Sequence, residues 1–318
     1  MGAGERFTKI VVVTRKTMLE ELVERHGTRG QARFLAENRG ESFAEVEQAH
    51  ETYEEARQAL RKALPAGIRC QWIERGFLPN FLFGPHDLVV TLGPDGLVVN
   101  VAKYLATQPV LGINPDPERI DGVLVPFPIA GAAAAIPAAL AGSLPVRKIT
   151  MARARLDDGQ TIDAVNDLFI GIQSHASARY RIEYRRNVEN QSSSGVIVST
   201  GAGSTGWYRS VLTAAAGVAR AHLGKKAVAN LADRYAFDAT ARELRFSVRE
   251  PFTSLSSTAE IVWGPITGSE TLDLVSQMPT GGVIFSDGME QDFVKFESGM
   301  RARIGIADRA LELLWPTG

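Results

Sequence analysis

The chain has 318 residues, more than one hydrophobic core usually supports, so its length favours two domains. Lys and Arg number 35 against 36 for Asp and Glu, and the net charge of −1 excludes bulk attraction to nucleic acid or an anionic membrane. A single cysteine, Cys70, excludes an internal disulfide and most cysteine-based metal sites. It fits a reducing compartment and is expected to be a small core residue.

The first half of the chain alternates strand-like and helix-like segments. The run KIVVVT at residues 9–14 is typical of a buried strand. Residues 18–64 are rich in Glu, Ala, Arg and Gln and predict long charged helices interrupted near Gly40. Three more strands are predicted at IRCQWI, DLVVTLG and PVLGIN. Because strand and helix alternate, we predict an N-terminal α/β domain over residues 1–146 with a largely parallel sheet.

Two segments bear on targeting. Residues 1–14 lack a charged region followed by a long apolar stretch, so we predict no secretion signal and a cytoplasmic protein. Residues 123–144 carry no charge and are long enough to cross a bilayer. Their three prolines and many Ala and Gly residues weigh against a spanning helix. We expect a buried segment with a short Ala-rich helix and no membrane partner.

The second half consists of short strand-like runs separated by Gly, Asp, Asn and Ser. The runs are RKITMARARL, AVNDLFIGI, ARYRIEYRR, SGVIVST, ELRFSVRE and AEIVWG. In the third of them, Tyr180, Ile182 and Tyr184 share one face and charged side chains share the other. A solvated face is the expected role of its arginines, and phosphate binding is the alternative. We predict a β-rich domain over residues 147–300.

The segment TLGPDGLVVN at residues 91–100 allows two interpretations. Pro94, Asp95 and Gly96 have the composition of an ordinary turn between two strands. In an open α/β sheet, however, ligands bind beyond the carboxyl ends of the strands, and Gly93, Asp95 and Gly96 follow such an end. Glycines would let the backbone approach a ligand, and the carboxylate would accept a proton from a hydroxyl.

A second segment, residues 192–210, leads from a β-branched strand into a glycine-rich and hydroxyl-rich stretch. Residues 200–206 contain three glycines and three hydroxyl side chains, and Trp207 and Tyr208 open a predicted helix. Backbone N–H groups beside glycines, hydroxyl donors and a helix N-terminus together suit an anion. A plain strand-to-helix connection is the alternative. His175 has no second His at ligand spacing, so it predicts no metal centre.

Taken in order, four segments resemble the NAD kinases. LGPDG stands where that family has its GGDGT loop, and NDLFIG stands where it has Asn-Glu before an apolar strand. STGAGSTGW matches a Thr-x-x-Gly-Ser-Thr segment, and FSDGME matches an Asp-Gly turn. GINPDPER, the SSG at residues 193–195 and SVREP resemble the mitochondrial-type branch of the family. The similarity extends over essentially the whole chain.

The resemblance implies a fold and an activity. The fold would be an N-terminal α/β domain, a C-terminal β-sandwich-like domain and a tail at residues 301–318 that returns to the first domain. The activity would be Mg²⁺-dependent transfer of the γ-phosphoryl of ATP to the 2′-hydroxyl of the adenosine ribose of NAD, giving NADP. The family also implies a homodimer or larger assembly.

The resemblance assigns roles to particular residues. Asp95 matches the proton acceptor, and no residue is assigned to the metal. The residues implied to bind nucleotide are Gly93, Gly96, Asn114, Asn166, Asp167, Thr200, Gly203, Ser204, Thr205 and Trp207.

Three residues depart from the family pattern. Pro94 replaces the second Gly of GGDGT and removes an N–H, Leu97 replaces the Thr and deletes a hydroxyl, and Asp167 replaces Glu. Asp95 is retained while the residues around it differ, so two other functions stay open. One is a non-catalytic regulatory relative that binds NAD or another nucleotide. The other is a kinase of the same fold acting on another hydroxyl, that of a sugar or lipid.

Overall fold

The structure, a computed structural model, describes residues 7–40, 42–224, 235–289 and 292–317. It divides into two compact units, unit 1 with Met1–Arg147 and Glu312–Gly318, and unit 2 with Lys148–Leu311. One long strand, Arg301–Leu314, contributes residues to both units and occupies most of the tail expected at residues 301–318. The domain limits drawn from the sequence stay a prediction.

Unit 1 is an α/β unit. Its strands are β1 (Lys9–Thr14), β2 (Arg69–Glu74), β3 (Asp87–Leu92), β4 (Val110–Asn114) and β5 (Phe127–Pro128). Its helices are α1 (Met18–His26), α2 (Arg29–Asn38), α3 (Phe43–Ala63), α4 (Asp95–Ala102) and α5 (Ala132–Leu140). The central strands pair in parallel in the order β4-β3-β1-β2, as the alternating sequence predicts.

The charged stretch at residues 18–64 forms three helices with two interruptions. The expected interruption near Gly40 is confirmed, and this residue has a φ of 75° after the end of α2. A second interruption lies at Gly27, with a φ of 86°, and the Thr28 side chain then accepts a hydrogen bond from the Gln31 N–H to cap α2. Glycine at the first position and threonine at the second are the residues that favour a helix end and a helix start.

Unit 2 is a β-sandwich with one long helix. Its strands are β6 (Val146–Leu156), whose first two residues belong to unit 1, β7 (Thr161–Ala164), β8 (Asp167–Ile172), β9 (Ala178–Tyr184), β10 (Asn187–Ser193), β11 (Val196–Ser199), β12 (Glu243–Val248), β13 (Trp263–Thr267), β14 (Leu272–Ser276), β15 (Gly282–Ser286), β16 (Phe293–Lys295) and β17 (Arg301–Leu314). The helix is α6 (Trp207–Leu223). One sheet contains β10-β9-β14-β17 with β6 and β7 beside it, and the other has the order β13-β12-β11-β8-β15-β16.

The core of unit 2 lies between these two sheets. Alternate residues of β9 are buried, among them Tyr180 and Ile182, whereas Arg179 and Arg181 are exposed, so the predicted alternation is confirmed. Ile170 of β8 and Val198 of β11 belong to the same buried cluster. Because β8 and β11 place one face in this core, their other face, which carries Asp167 and Ser199, points away from it.

Two sequence predictions about local structure are wrong. Cys70 is exposed and not a core residue, because β2 is the edge strand of its sheet and its first three residues are exposed. Residues 259–262 are not a strand, and β13 begins only at Trp263. The N–H groups of Glu260 and Ile261 instead donate to the Glu189 carboxylate, so they do not join a strand ladder.

The uncharged segment at residues 123–144 forms a short Ala-rich helix, as expected. Four residues of α5 are buried, among them Ile136, and they belong to the core of unit 1. Pro137 lies inside this helix. In the parts of the chain that the structure describes, no helix is both long enough and apolar enough to cross a bilayer.

Candidate functional site

The LGPDG segment is a strand-to-helix junction at the carboxyl edge of the parallel sheet. β3 ends at Leu92, and α4 begins at Asp95 with Pro94 as its N-cap, at a φ of −73°. The interpretation of this triplet as a turn between two strands is therefore wrong. Residues 97–102 become helical because they bury Leu97, Val98 and Val101, and this packing outweighs the turn composition and β-branched residues of the segment.

The Asp95 carboxylate holds a neighbouring segment of backbone. Its Oδ2 accepts a hydrogen bond from the Val123 N–H at 3.0 Å, and its Oδ1 accepts one from the Leu124 N–H at 2.8 Å. Burial raises the pKa of Asp95, and these amide hydrogen bonds oppose the rise. Because a carboxylate oxygen has more than one acceptor direction, each oxygen can still accept a hydrogen bond from a hydroxyl. The group combines a fixed position with increased basicity.

Asn114 lies beside this junction and holds the same backbone segment. The Gly93 N–H donates to the Ile113 carbonyl at 3.2 Å, which places the two strand ends side by side. The Asn114 Nδ2 donates to the Ile120 carbonyl at 2.9 Å, and its Oδ1 accepts from the Asp116 N–H at 3.0 Å. Asp95 and Asn114 therefore fix residues 120–124 from two sides, and Gly93, Asp95 and Asn114 lie together in unit 1.

Gly122 is a residue of this group that the sequence analysis missed. Its φ is 70°, and a Cβ at this position would lie 2.8 Å from the Asn114 Nδ2. Both the backbone conformation and the close approach require glycine. The signal that the sequence offers for it is an Asp-Gly pair before the apolar run that starts at Val123.

In unit 2 the NDLFIG, STGAGSTGW and FSDGME segments meet at one end of a sheet. β8 is antiparallel to both of its neighbours, β11 and β15, so the start of β8 lies beside the ends of the other two. This topology brings Asn166 and Asp167 next to Thr200 and Asp287. The last residue of FSDGME, Glu290, lies outside the described residues.

Thr200 binds the backbone of residues 165–167, called here the Asn166 turn, and Gly203 lies close against it. The Thr200 N–H donates to the Asn166 carbonyl at 2.9 Å, and its hydroxyl donates to the Val165 carbonyl at 2.5 Å. A Cβ at Gly203 would lie 2.1 Å from the Asn166 carbonyl oxygen, a distance that no side chain tolerates. The Ser204 hydroxyl donates to the Gly201 carbonyl at 2.7 Å, and Thr205 is exposed. These residues build a rigid turn around Asn166.

Asp287 is a second member of the group that the sequence analysis did not assign. Its carboxylate accepts hydrogen bonds from the N–H groups of Val165, Asn166 and Asp167 at 3.2, 2.7 and 3.3 Å. Its own φ is 57°, a left-handed conformation that Asp adopts more readily than most residues. Asp287 binds the N–H groups of the Asn166 turn and Thr200 binds its carbonyl groups, so the two residues together fix this turn.

Asp167 has an unusual protonation behaviour. The residue is 7% exposed, and burial together with the charge of Asp287 raises its pKa from 3.8 to about 7. A carboxyl group that is close to half protonated near neutral pH can either donate a hydrogen bond to a ligand or accept one. The structure therefore gives this position a property that the sequence alone did not indicate.

Trp207, at the first position of α6, is part of an aromatic cluster on the outer face of the sheet that contains β8 and β15. Its ring stacks on Phe169 with centroids 5.5 Å apart, and Phe169 stacks on Phe285 at 4.8 Å. The Arg249 guanidinium lies 5.2 Å from the centroid of the Trp207 ring. An indole held by stacking is a suitable surface for a planar base.

The described residues include no group of three or more His, Cys, Asp or Glu side chains placed to hold a metal ion. His175 lies on the surface of unit 2.

The architecture of the whole chain matches that of solved kinases. No family model matches the sequence, and no curated protein matches it. The yeast NADH kinase, solved with NADH, superposes with a TM-score of 0.61 and 14% identity, covering 100% of this chain and 88% of that chain. An NAD kinase from Archaeoglobus fulgidus, solved with ATP, gives 0.56 and 14%, covering 96% and 93%.

The chain has the NAD kinase fold. The expected combination of an N-terminal α/β unit with a mainly parallel sheet and a C-terminal β-sandwich is confirmed. At 14% identity the similarity establishes this fold and not the activity or the branch. Within this fold, Asp95 and Asn114 lie in unit 1, and the Asn166 turn and Trp207 lie in unit 2.

Proposed function

We propose that this protein is an NAD kinase that transfers the γ-phosphoryl of ATP to the 2′-hydroxyl of the adenosine ribose of NAD, producing NADP. The observation that carries the proposal is the position of Asp95. Its carboxylate lies at the carboxyl end of a central parallel strand in an NAD kinase fold, fixed by two backbone amides and with a raised pKa. Carboxylates in this position suit general-base chemistry.

In this proposal Asp95 accepts the proton of the ribose hydroxyl as that oxygen attacks the γ-phosphorus. Phosphoryl transfer requires mainly positioning and charge stabilisation, so one carboxylate is a sufficient base. Raising the pKa of a carboxylate strengthens it as a base, and the two amides prevent it from turning away from its target. Gly93 and Gly96 would face the phosphates through their backbone, and Asn114 would keep residues 120–124 in place.

The dinucleotide would be held by unit 2. Asn166 and Asp167 would bind polar groups of NAD, because Thr200 and Asp287 fix their backbone and so hold the two residues in position. Trp207 would stack on a base, and Thr200, Gly203, Ser204 and Thr205 would shape the turn beneath it. The stacking of Trp207 on Phe169 supports this role, because it holds the indole in place.

The reaction would need Mg²⁺. This ion usually keeps several waters and binds to substrate phosphates with one or two carboxylates. In this proposal the ion is carried by the phosphates of ATP, and we assign no residue to it. When bound, it would neutralise charge on the phosphates. We further propose a homodimer or larger assembly, which analytical ultracentrifugation of the purified protein would test.

The deciding experiment incubates the purified protein with ATP, Mg²⁺ and NAD and measures NADP. Asp95→Asn should lower kcat by about 10²–10⁴-fold while NAD binding is largely retained. Asp116→Asn is the matched control, since its carboxylate, 17% exposed, pairs with Arg119 at 3.4 Å and is not among the residues proposed to act on a nucleotide. An Asn at position 95 would turn a donor toward an N–H, so thermal unfolding must show that the variant is folded.

One result would exclude Asp95 as the base, and two others would exclude the NAD kinase activity itself. NADP formation by Asp95→Asn within about threefold of wild type would show that Asp95 is not the base. Tight binding of NAD without NADP would favour a non-catalytic regulatory relative. Phosphoryl transfer to a sugar or lipid hydroxyl, with NAD inert, would favour another kinase of the same fold.

A further inference from the structure

The loop that follows β1 lies next to the loop that contains Asp95. β1 and β3 are adjacent and parallel, with Val12 opposite Val90 and Val13 opposite Thr91. The residues that come next in the two strands therefore leave the sheet side by side at its carboxyl edge. The side chain of Arg15 reaches this neighbour directly, because a Cβ at Gly93 would lie 3.8 Å from the Arg15 Cδ.

Tyr53 of α3 ties the two loops together. Its hydroxyl accepts a hydrogen bond from the Arg15 N–H at 3.2 Å and donates one to the Leu92 carbonyl at 3.0 Å. The Tyr53 side chain is 7% exposed within the core of unit 1, so this bridge is held by packing. Burial raises the pKa of the Tyr53 hydroxyl, so it remains a donor to Leu92 over the whole physiological pH range. The backbone of Arg15 is fixed relative to Gly93.

The two cations of this loop differ in how their charge is balanced. Lys16 forms a salt bridge to Glu24 at 2.7 Å, with Glu74 at 3.9 Å. Among the residues that the structure describes, the carboxylate paired with Arg15 is that of Glu21 at 4.0 Å, and the Arg15 Nε donates to the neighbouring Lys16 carbonyl at 3.1 Å. A guanidinium about one third exposed, with its nearest carboxylate at the limit of an ion pair, retains donors for another anion.

We propose that Arg15 binds the phosphates of the nucleotide donor beside the Asp95 loop. This inference rests on the proposed function, because it needs a phosphoryl donor whose reactive end lies near Asp95. The guanidinium fork matches phosphate oxygens, and its charge would offset that of the triphosphate during transfer. Arg15 is assigned to the donor because it lies beside Gly93 of the loop that is proposed to face the donor's phosphates.

The test compares Arg15→Gln, Arg15→Lys and the matched control Lys16→Gln. Arg15→Gln removes the charge but keeps the backbone N–H that donates a hydrogen bond to the Tyr53 hydroxyl. The fold should therefore persist, and thermal unfolding verifies this. We expect its KM for ATP to rise about tenfold or more with the KM for NAD within about twofold of wild type. Arg15→Lys should recover part of the loss, and Lys16→Gln should leave both constants within about twofold.

Two results would overturn the inference. One is a KM for ATP in Arg15→Gln that is no higher than in Lys16→Gln. The other is an equal rise of the KM for ATP and the KM for NAD in Arg15→Gln. If the wild-type protein makes no NADP, the proposed function fails, and the inference is judged by calorimetric titration with ADP. Loss of ADP binding in Arg15→Gln but not in Lys16→Gln would then support the phosphate site. Absent or unchanged ADP binding would refute it.

Discussion

Replacing Asp167 with Asn should remove a pH-dependent loss of stability. Below about pH 4 the carboxyl group is protonated in both folded and unfolded chains. Between that pH and the folded pKa of about 7, only the folded protein keeps its proton, since burial and Asp287 disfavour the charged form. The folded state then binds more protons than the unfolded state, so the free energy of unfolding falls as pH rises and levels off above pH 7.

The size of this effect follows from the shift of the pKa from 3.8 to about 7. Each unit corresponds to about 1.4 kcal/mol, and about two units of the shift lie between pH 5 and the folded pKa, so wild type should lose about 3 kcal/mol relative to Asp167→Asn between pH 5 and pH 8. Chemical denaturation followed by circular dichroism at intervals of half a pH unit measures this difference. Asp308→Asn, a mostly exposed carboxylate paired with Arg153, is the control and should show no such trend. A wild-type-to-variant difference that stays constant within about 0.5 kcal/mol would refute the reasoning.

Two further substitutions test the Asn166 turn. Gly203→Ala would place a Cβ 2.1 Å from the Asn166 carbonyl oxygen and should cost about 3 kcal/mol or more of stability, measured by denaturation, even without any ligand. An unchanged free energy of unfolding would contradict the close approach of Gly203 to the Asn166 carbonyl. Asp287→Ala leaves three backbone N–H groups without their acceptor, which should cost about 2 kcal/mol and weaken NAD binding in calorimetry. Loss of stability with undiminished NAD affinity would separate this turn from the dinucleotide.

The sequence predicts what depends on local pattern and misses what depends on distant contacts. β1 begins and ends where its β-branched run does, and the alternation of β9 gives its buried face. The helical start at Asp95 was missed, because its Pro-Asp-Gly composition favours a turn and only burial of the following apolar residues decides otherwise. Asp287 was visible as part of an Asp-Gly turn, but its amide partners lie more than a hundred residues away and no local pattern points to them.

The two departures from the GGDGT pattern are compatible with a phosphate-facing loop. Pro94 occupies the N-cap of α4 at a φ of −73°, close to the value its ring imposes, so the helix does not need the missing N–H. Leu97 is 2% exposed and its Cδ2 packs where a Gly93 side chain would stand, so it exchanges a hydroxyl for core packing. Both changes remove donors that a phosphate could use. On the proposed function this loss makes a cation beside the loop more important, and the Arg15 side chain lies beside Gly93, with its Cδ 3.8 Å from where a Cβ would stand.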